Sequence, residues 1–109
     1  SVVYKGIEMI DVDRTGEKRA TLSADIVNQF GTKNGIGSAK ITEWRVVSAP
    51  YGVTTDGDEL VVAKDAEAGK AYIDIVFNPN YVGSELVLDE DVPEWTHRIE
   101  ITVTDESIG

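Results

Sequence analysis

Apolar and polar residues alternate with a period of two along most of this chain. The pattern is clearest in residues 71–77, where one parity carries Ala71, Ile73, Ile75 and Phe77. Successive side chains of a β-strand point to opposite faces, so such a segment buries one face and leaves the other in water. No window of about 11 residues has the spacing of an amphipathic helix. The alternation therefore predicts an all-β protein.

Three further segments, 20–27, 41–46 and 98–103, alternate in the same way. Their apolar parities predict a shared core, since each strand needs a partner for its buried face. The predicted core comprises Leu22, Ile26, Trp44, Ile73, Ile75, Ile99 and Ile101. A central Trp on an inner strand is typical of a sandwich core.

Turn-forming residues separate these segments. Asp56-Gly57 lies between Val53-Thr54 and residues 60–62, which predicts a tight hairpin because both turn residues tolerate a positive φ. The prolines fall in predicted connections, where a missing N–H is tolerated. Short strands at regular spacing indicate a β-sandwich. A chain of 109 residues has the size of one domain, which we expect to span residues 1–109.

The charge of the chain is concentrated in its second half. Residues 1–48 hold seven basic and six acidic side chains, a net charge of +1, whereas residues 49–109 hold three basic and fourteen acidic ones, a net charge of −11. This field repels phosphate groups, so we expect neither nucleic acid nor an anionic membrane as a partner. The apolar runs are too short for membrane insertion. The absence of cysteine is compatible with a cytosolic or a bacterial surface protein.

Several features between Ala20 and Phe77 occur in a recognisable order. A strand of Ala and aliphatic residues runs into the corner 28–31, and a strand with a central Trp, residues 41–46, follows. The hairpin pattern Gly-Val-x-x-Asp-Gly-x-x-Leu-x-Val comes next, and then an Asp-Ala-x-Ala-Gly turn. This order resembles the bacterial Ig-like (Big) family. The resemblance implies an immunoglobulin-like Greek-key β-sandwich of about seven strands and a spacer, adhesion or carbohydrate-associated role on surface proteins.

The segment 78–95 departs from this pattern, because it is longer than the short final hairpin usual in the family. We expect a short edge strand at residues 85–88, protected from aggregation by the acidic run 89–91. Tyr81 and Trp95 are the candidate ligand-binding residues here, since exposed aromatic rings stack on sugars while carboxylates bond the hydroxyls. The interpretation that we favour for Trp95 is structural: it caps the core where the last strand begins.

The sequence contains little that supports a catalytic function. Nucleophilic catalysis needs a nucleophile, a base and a group that orients the base. The single histidine, His97, lies two positions before a buried strand face, and there is no cysteine. We therefore expect a non-enzyme with no catalytic residues, and one histidine without cysteine excludes a structural zinc site.

Calcium is the metal that the acidic clusters would suit, because it prefers oxygen ligands on loops. The candidate ligands are Asp56, Asp58, Asp89 and Asp91. Neither cluster has the spacing of an EF-hand loop. Asp56 is better explained as a turn former, and Asp89 and Asp91 as edge protection. We expect no specific metal and no cofactor, with calcium as the alternative.

Three functions are compatible with these features. The leading one is a non-catalytic spacer or adhesion module of a bacterial cell-surface or secreted protein, part of a larger multidomain chain. Its partners would be neighbouring domains of the same polypeptide, and carbohydrate or a host or cell-surface protein. The second is an accessory module that binds carbohydrate or Ca²⁺ through the segment 78–95, and the third is a phage or S-layer structural domain. We expect an extracellular location.

Overall fold

The computed structural model describes residues 2–26, 40–78, 81–82, 85–86 and 95–106. These residues form β-strands and their connections and contain no α-helix, so the predicted all-β class is confirmed. The strands are β1 (Val2–Tyr4), β2 (Met9–Asp11), β3 (Lys18–Thr21), β4 (Ala24–Ile26), β5 (Lys40–Ser48), β6 (Val53–Asp56), β7 (Glu59–Val62), β8 (Gly69–Asn78), β9 (Tyr81–Val82), β10 (Glu85–Leu86) and β11 (Trp95–Thr104).

Two main sheets are built from the described strands. One has the order β2-β11-β8-β5 and the other the order β3-β7-β6. In the first sheet β8 is antiparallel to both its neighbours, so that Ile73 lies opposite Ile99 and Ile75 lies opposite Trp44. β2 runs parallel to β11. Two smaller pairs, β1 with β4 and β9 with β10, are antiparallel.

One apolar core joins the two main sheets. Its buried strand residues are Ile10, Trp44, Ala71, Ile73, Ile75, Phe77, Ile99, Ile101 and Val103 on the first sheet and Val53, Leu60 and Val62 on the second. Full burial of one such aliphatic side chain contributes about 1.5–3 kcal/mol, so this set dominates the stability of the fold. The predicted core is confirmed for Leu22, Trp44, Ile73, Ile75, Ile99 and Ile101. The side chain of Ile26 lies outside the described part of the chain.

The predicted strand 20–27 is two strands in the structure. β3 pairs with β7, and β4 pairs with β1. Between them the Leu22 amide donates to the Asp58 carbonyl over 2.6 Å, and the Lys5 amide donates to the Ser23 carbonyl over 2.8 Å. The chain therefore exchanges one partner strand for another at residues 22–23, while Leu22 keeps its place in the core.

The predicted hairpin between β6 and β7 forms, but its turn lies one residue further along. Asp56 is paired with Glu59 as the last rung of the hairpin, so Gly57 and Asp58 make the turn. Gly57 has a φ of 60°, the left-handed conformation that glycine adopts without a steric penalty. Asp56 is thus a strand residue, and its interpretation as a turn former is wrong.

The first and last described strands bring the chain to opposite ends of the sandwich. Val2 lies opposite Ile26, where β4 ends; we call this the upper end. The lower end is where β2 and β11 finish together, since Asp11 lies opposite Thr104. β3 and β4 rise from the lower to the upper end, because Lys18 donates to the Asp11 carbonyl over 3.0 Å.

Candidate functional site

A cavity opens between β5 and the turn of the β6–β7 hairpin. Its volume is about 400 Å³ and its lining comprises Ile41, Thr42, Glu43, Trp44, Thr55, Gly57 and Asp58. We call it the hairpin groove. It forms because β5 and β6 are edge strands of different sheets within the described residues, so no strand bridges the space between them.

Trp44 and Thr55 fix one side of the hairpin groove. The Trp44 side chain is buried in the core and meets the ring of Tyr4 edge to face, with ring centroids 6.3 Å apart. The Thr55 hydroxyl donates to the Trp44 carbonyl over 3.0 Å and so ties β6 to β5. Burial, and secondly the Glu8 carboxylate, raise the pKa of Tyr4 to about 12. Tyr4 therefore stays neutral, and its hydroxyl donates to the Ile7 carbonyl over 2.7 Å.

The backbone of β5 is irregular beside the groove. Its register against β8 shifts between Ile41 and Glu43 and again between Val46 and Ser48, so Thr42 and Val47 are extra residues on the edge. The Thr42 hydroxyl donates to the Val76 carbonyl over 3.2 Å. Such bulges interrupt the regular row of backbone groups that an added strand would need.

Two acidic residues, Glu43 and Asp58, are among the residues that line the groove. Glu43 accepts a hydrogen bond from the Arg45 guanidinium over 2.8 Å. The Asp58 side chain is exposed and has no hydrogen bond or ion pair with another described side chain.

Asp56, on the other side of the same hairpin, is already paired. The Arg19 guanidinium contacts the Asp56 carboxylate at 3.0 Å and the Glu59 carboxylate at 3.6 Å. It also bonds Glu17 over 2.9 Å. The hydrogen bonds to Glu17 and Asp56 raise the pKa of Arg19 above its usual value. The two candidate calcium ligands thus differ, because Asp56 binds an arginine of the chain, whereas Asp58 is one of the residues that line the groove.

The remaining candidate metal ligands, Asp89 and Asp91, lie outside the described residues. Among residues that the structure describes, no three or more His, Cys, Asp or Glu side chains are grouped so that they could hold a metal ion. The short strand expected at 85–88 corresponds to β10, which pairs with β9; residues 87 and 88 are outside the described part.

Trp95 begins β11 at the upper end of the sandwich. Its side chain is 54% exposed and meets the buried Phe77 ring edge to face, with centroids 6.0 Å apart. His97, two residues along the same strand, is also exposed. Trp95 does not line the hairpin groove. Of Tyr81, the other aromatic candidate, only the strand position in β9 is described.

Charged pairs cross the outer face of the first sheet. Arg98 on β11 binds the Asp74 carboxylate on β8 through two nitrogens, at 2.9 and 3.2 Å, and Lys70 contacts Glu100 at 2.8 Å. The hydrogen bond from Arg98 lowers the pKa of Asp74, with a smaller contribution from Arg45. This face is covered by ion pairs between neighbouring strands.

The lower end holds a second group of polar contacts, which the sequence pattern did not indicate. The Arg14 guanidinium binds the Asp105 carboxylate, whose side chain is 2% exposed, and donates to the Lys64 carbonyl over 2.9 Å. Asp11 accepts hydrogen bonds from the Thr104 hydroxyl over 2.9 Å and the Glu106 amide over 3.0 Å. These contacts hold the end of β11 to the loop after β2.

Comparison with known proteins gives no family. No family model, no curated protein and no solved structure matches the chain. Within the described residues no helix is long and apolar enough to span a membrane.

The hairpin groove was not anticipated from the sequence as a site. Asp58 was singled out as a calcium ligand, and Trp44 as a core residue. Glu43 lies in the predicted strand 41–46, and no sequence feature marks Thr55. Charged residues, Glu43 and Arg45, alternate with Trp44 along this strand, which indicates one charged face. The approach of β6 to β5 depends instead on how the two sheets stack.

Proposed function

We propose that this chain is a non-catalytic immunoglobulin-like spacer and adhesion module of a bacterial cell-surface or secreted protein. In this proposal it sits between neighbouring domains of one polypeptide in an extracellular location. The observation that carries it is the path of the chain, which passes from the upper to the lower end of the sandwich between β1 and β11. A module with this path extends a multidomain chain by its own length.

The order of the strands supports the immunoglobulin-like assignment. An immunoglobulin sandwich has strands ABED in one sheet and CFG in the other. The order A-B-E-D corresponds here to β1, then β3 with β4, then β7 and β6. The strands C, F and G correspond to β5, β8 and β11. The first strand is divided, since β1 joins the former sheet and β2 joins β11 of the latter.

The pairing of β2 with β11 suits a module that is pulled along its length. The chain enters β2 from the upper end and leaves β11 at the lower end, and the two strands are parallel, so tension along the chain loads their hydrogen bonds in shear. Thr102 donates to the Glu8 carbonyl and Val12 donates to the Thr104 carbonyl, each over 2.9 Å. Bonds loaded in shear break together, whereas bonds at the end of a ladder break one after another.

Single-molecule pulling tests this proposal. Because the chain has no cysteine, attachment points for pulling can be introduced as cysteines at the exposed positions Val3 and Glu106. Force applied between these two positions acts along the strands. The matched control has handles at Glu43 and Thr96, exposed residues that face Val76 from either side and pull across the sheet. We expect a clearly higher rupture force along the strands. Equal forces, or a lower force along the strands, would contradict the spacer role.

Carbohydrate binding at Trp95 is the second candidate, favoured by the exposure of its ring. An exposed indole offers an apolar face to a sugar ring. Titration of the chain with oligosaccharides, followed by tryptophan fluorescence, tests it. A saturable change that Trp95→Ala removes supports this role, and the same change in the variant rejects it.

A further inference from the structure

We propose that the upper half of β11 binds an extended, basic segment of a partner protein, which adds to the first sheet as an antiparallel strand. The site is the edge of β11 over residues 95–101, on the side away from β8, and we call it the open edge. On this side β2 pairs only with residues 102–104, at the lower end. None of the described strands pairs with the open edge. The proposal does not depend on the spacer role.

The open edge exists because the first strand of the fold is divided. The chain pairs with β4 as β1, crosses to the other sheet over residues 5–8, and pairs with β11 only as β2. Three residues of the open edge, Thr96, Arg98 and Glu100, are exposed. A strand position beside the first sheet is therefore left unfilled by the described part of the chain.

The hydrogen bonds of β11 with β2 show which backbone groups point to this side. Thr102 donates its amide to the Glu8 carbonyl, and the Thr104 carbonyl accepts from the Val12 amide, each over 2.9 Å. Residues of a strand direct their backbone groups alternately to one neighbouring strand and to the other. The register of β11 against β8 is unbroken from Trp95 to Val103, so this alternation continues along the open edge.

Thr96, Arg98 and Glu100 therefore direct their N–H and C=O groups to the open edge. A regular row of unpaired backbone groups is what an added strand needs, and proteins commonly interrupt such rows with bulges or charged side chains. The other edge of the same sheet, β5, has two bulges, whereas the open edge has none. The charged side chains of Arg98 and Glu100 contact Asp74 and Lys70 of β8, on the side away from the open edge.

The side chains of β11 determine which kind of segment fits. Trp95 has the parity of the core residue Ile99, and its ring meets the buried Phe77 ring, yet its side chain is 54% exposed. Alternate side chains of an added strand would lie on this same face, where apolar groups gain burial beside the indole. The other side chains would lie on the outer face with Arg98 and Glu100. The segment therefore alternates apolar and polar residues.

A basic partner fits the open edge better than a second copy of the chain does. The net charge of −10 attracts a cationic segment and makes two copies repel each other. Antiparallel pairing of two copies through all three outward-directed residues would also set the two Arg98 side chains opposite each other. Like charges in directly opposite positions are unfavourable.

Hydrogen exchange measured by NMR on the isotope-labelled chain tests the proposal. In the free chain the amides of Thr96, Arg98 and Glu100 should exchange rapidly, whereas those of His97 and Ile99, which point to β8, should be protected. The probe is the capped peptide Lys-Val-Thr-Val-Lys-Val at physiological ionic strength. It should bind saturably and slow the exchange of the first three amides. The same peptide with Glu in place of Lys should bind more weakly.

Two N-methylated forms of the peptide serve as matched controls, because they keep its charge and its side chains. In the antiparallel arrangement with the valines beside Trp95, the Lys and Thr amides point to β11 and the Val amides point away. Methylation of the Lys and Thr amides should weaken binding about tenfold or more, since it removes several hydrogen bonds. Methylation of the Val amides should leave binding unchanged.

Thr96→Pro and Thr96→Ser are matched variants of the chain. Proline removes the outward N–H, and it is tolerated in a strand whose N–H faces solvent. Thr96→Pro should therefore keep a melting temperature close to that of Thr96→Ser and bind the peptide about tenfold more weakly. Equal binding by the two variants, or of the two methylated peptides, would overturn the proposal. Shifts without saturation, or protected Thr96, Arg98 and Glu100 amides in the free chain, would do so as well.

Discussion

Replacing Trp44 by alanine measures how far the core depends on its central aromatic ring. The Trp44 side chain is 7% exposed, lies opposite Ile75 and contacts the ring of Tyr4. Truncation of a buried Trp loses its transfer free energy and leaves a cavity, which together cost about 3–5 kcal/mol. Small domains have a total unfolding free energy of about 5–15 kcal/mol, so the substitution should remove a large share of the stability.

Trp95→Ala is the matched control, because the same substitution is made at a ring that is 54% exposed. Its edge-to-face contact with Phe77 is worth about 0.5–1.5 kcal/mol beyond the area that the ring buries, and about half of the ring is exposed, so the loss should be smaller than at Trp44. Urea unfolding followed by far-ultraviolet circular dichroism measures both variants without using tryptophan fluorescence. The slope of the free energy against urea should stay constant, and only the midpoint should fall.

Two results would refute this reasoning. A loss of less than about 1 kcal/mol for Trp44→Ala would remove Trp44 from the core. Equal losses for the two variants would show that the difference in exposure does not describe the protein in solution.

Two further predictions concern a glycine and an ion pair. Gly52→Ala should destabilise the fold more than Gly57→Ala does in urea unfolding. Both glycines have a positive φ, but only at Gly52 would a Cβ lie 2.8 Å from the Ala66 Cα. Equal losses of unfolding free energy would contradict this close approach. Arg98→Ala should lower the stability near neutral pH and much less in acid, because Arg98 lowers the pKa of Asp74 in the folded state. The stabilisation from this pair is full above the unfolded pKa of about 3.9 and is lost as the pH falls through the folded pKa. A difference from the wild type that does not depend on pH, in unfolding measured from neutral to acid, would argue against the pairing.

The buried faces of the long strands were predictable because period-two alternation reports burial directly. Ile73, Ile75, Ile99 and Ile101 occupy the inner face as their parity requires. Val76 has the opposite parity and is nevertheless buried. It lies between Glu43 and Thr96 on the neighbouring strands, and a single-strand pattern carries no information about such neighbours.

Short strands and long-range polar contacts could not be predicted from the sequence, for a different reason. β1 and β2 have three residues each, too few for a periodicity to be recognised. Arg14 and Asp105 are 91 positions apart, and nothing local marks them as partners. The hairpin groove likewise lies where two sheets meet. A sequence pattern does not report how two sheets stack, so the arrangement of the lining residues could not be predicted.

The distance between the two ends of the chain path tests the central claim most directly. Spin labels on cysteines at Val3 and Glu106, in a chain that has no other cysteine, report this distance by pulsed electron resonance. Lys18 to Asp25 spans the sandwich in seven residues, and at ~3.3 Å per residue this gives roughly 20–25 Å between the ends. We expect one narrow distribution at or somewhat beyond that value, because the labels add their own length. A main population below ~15 Å would place both ends on the same side of the sandwich and contradict the spacer geometry.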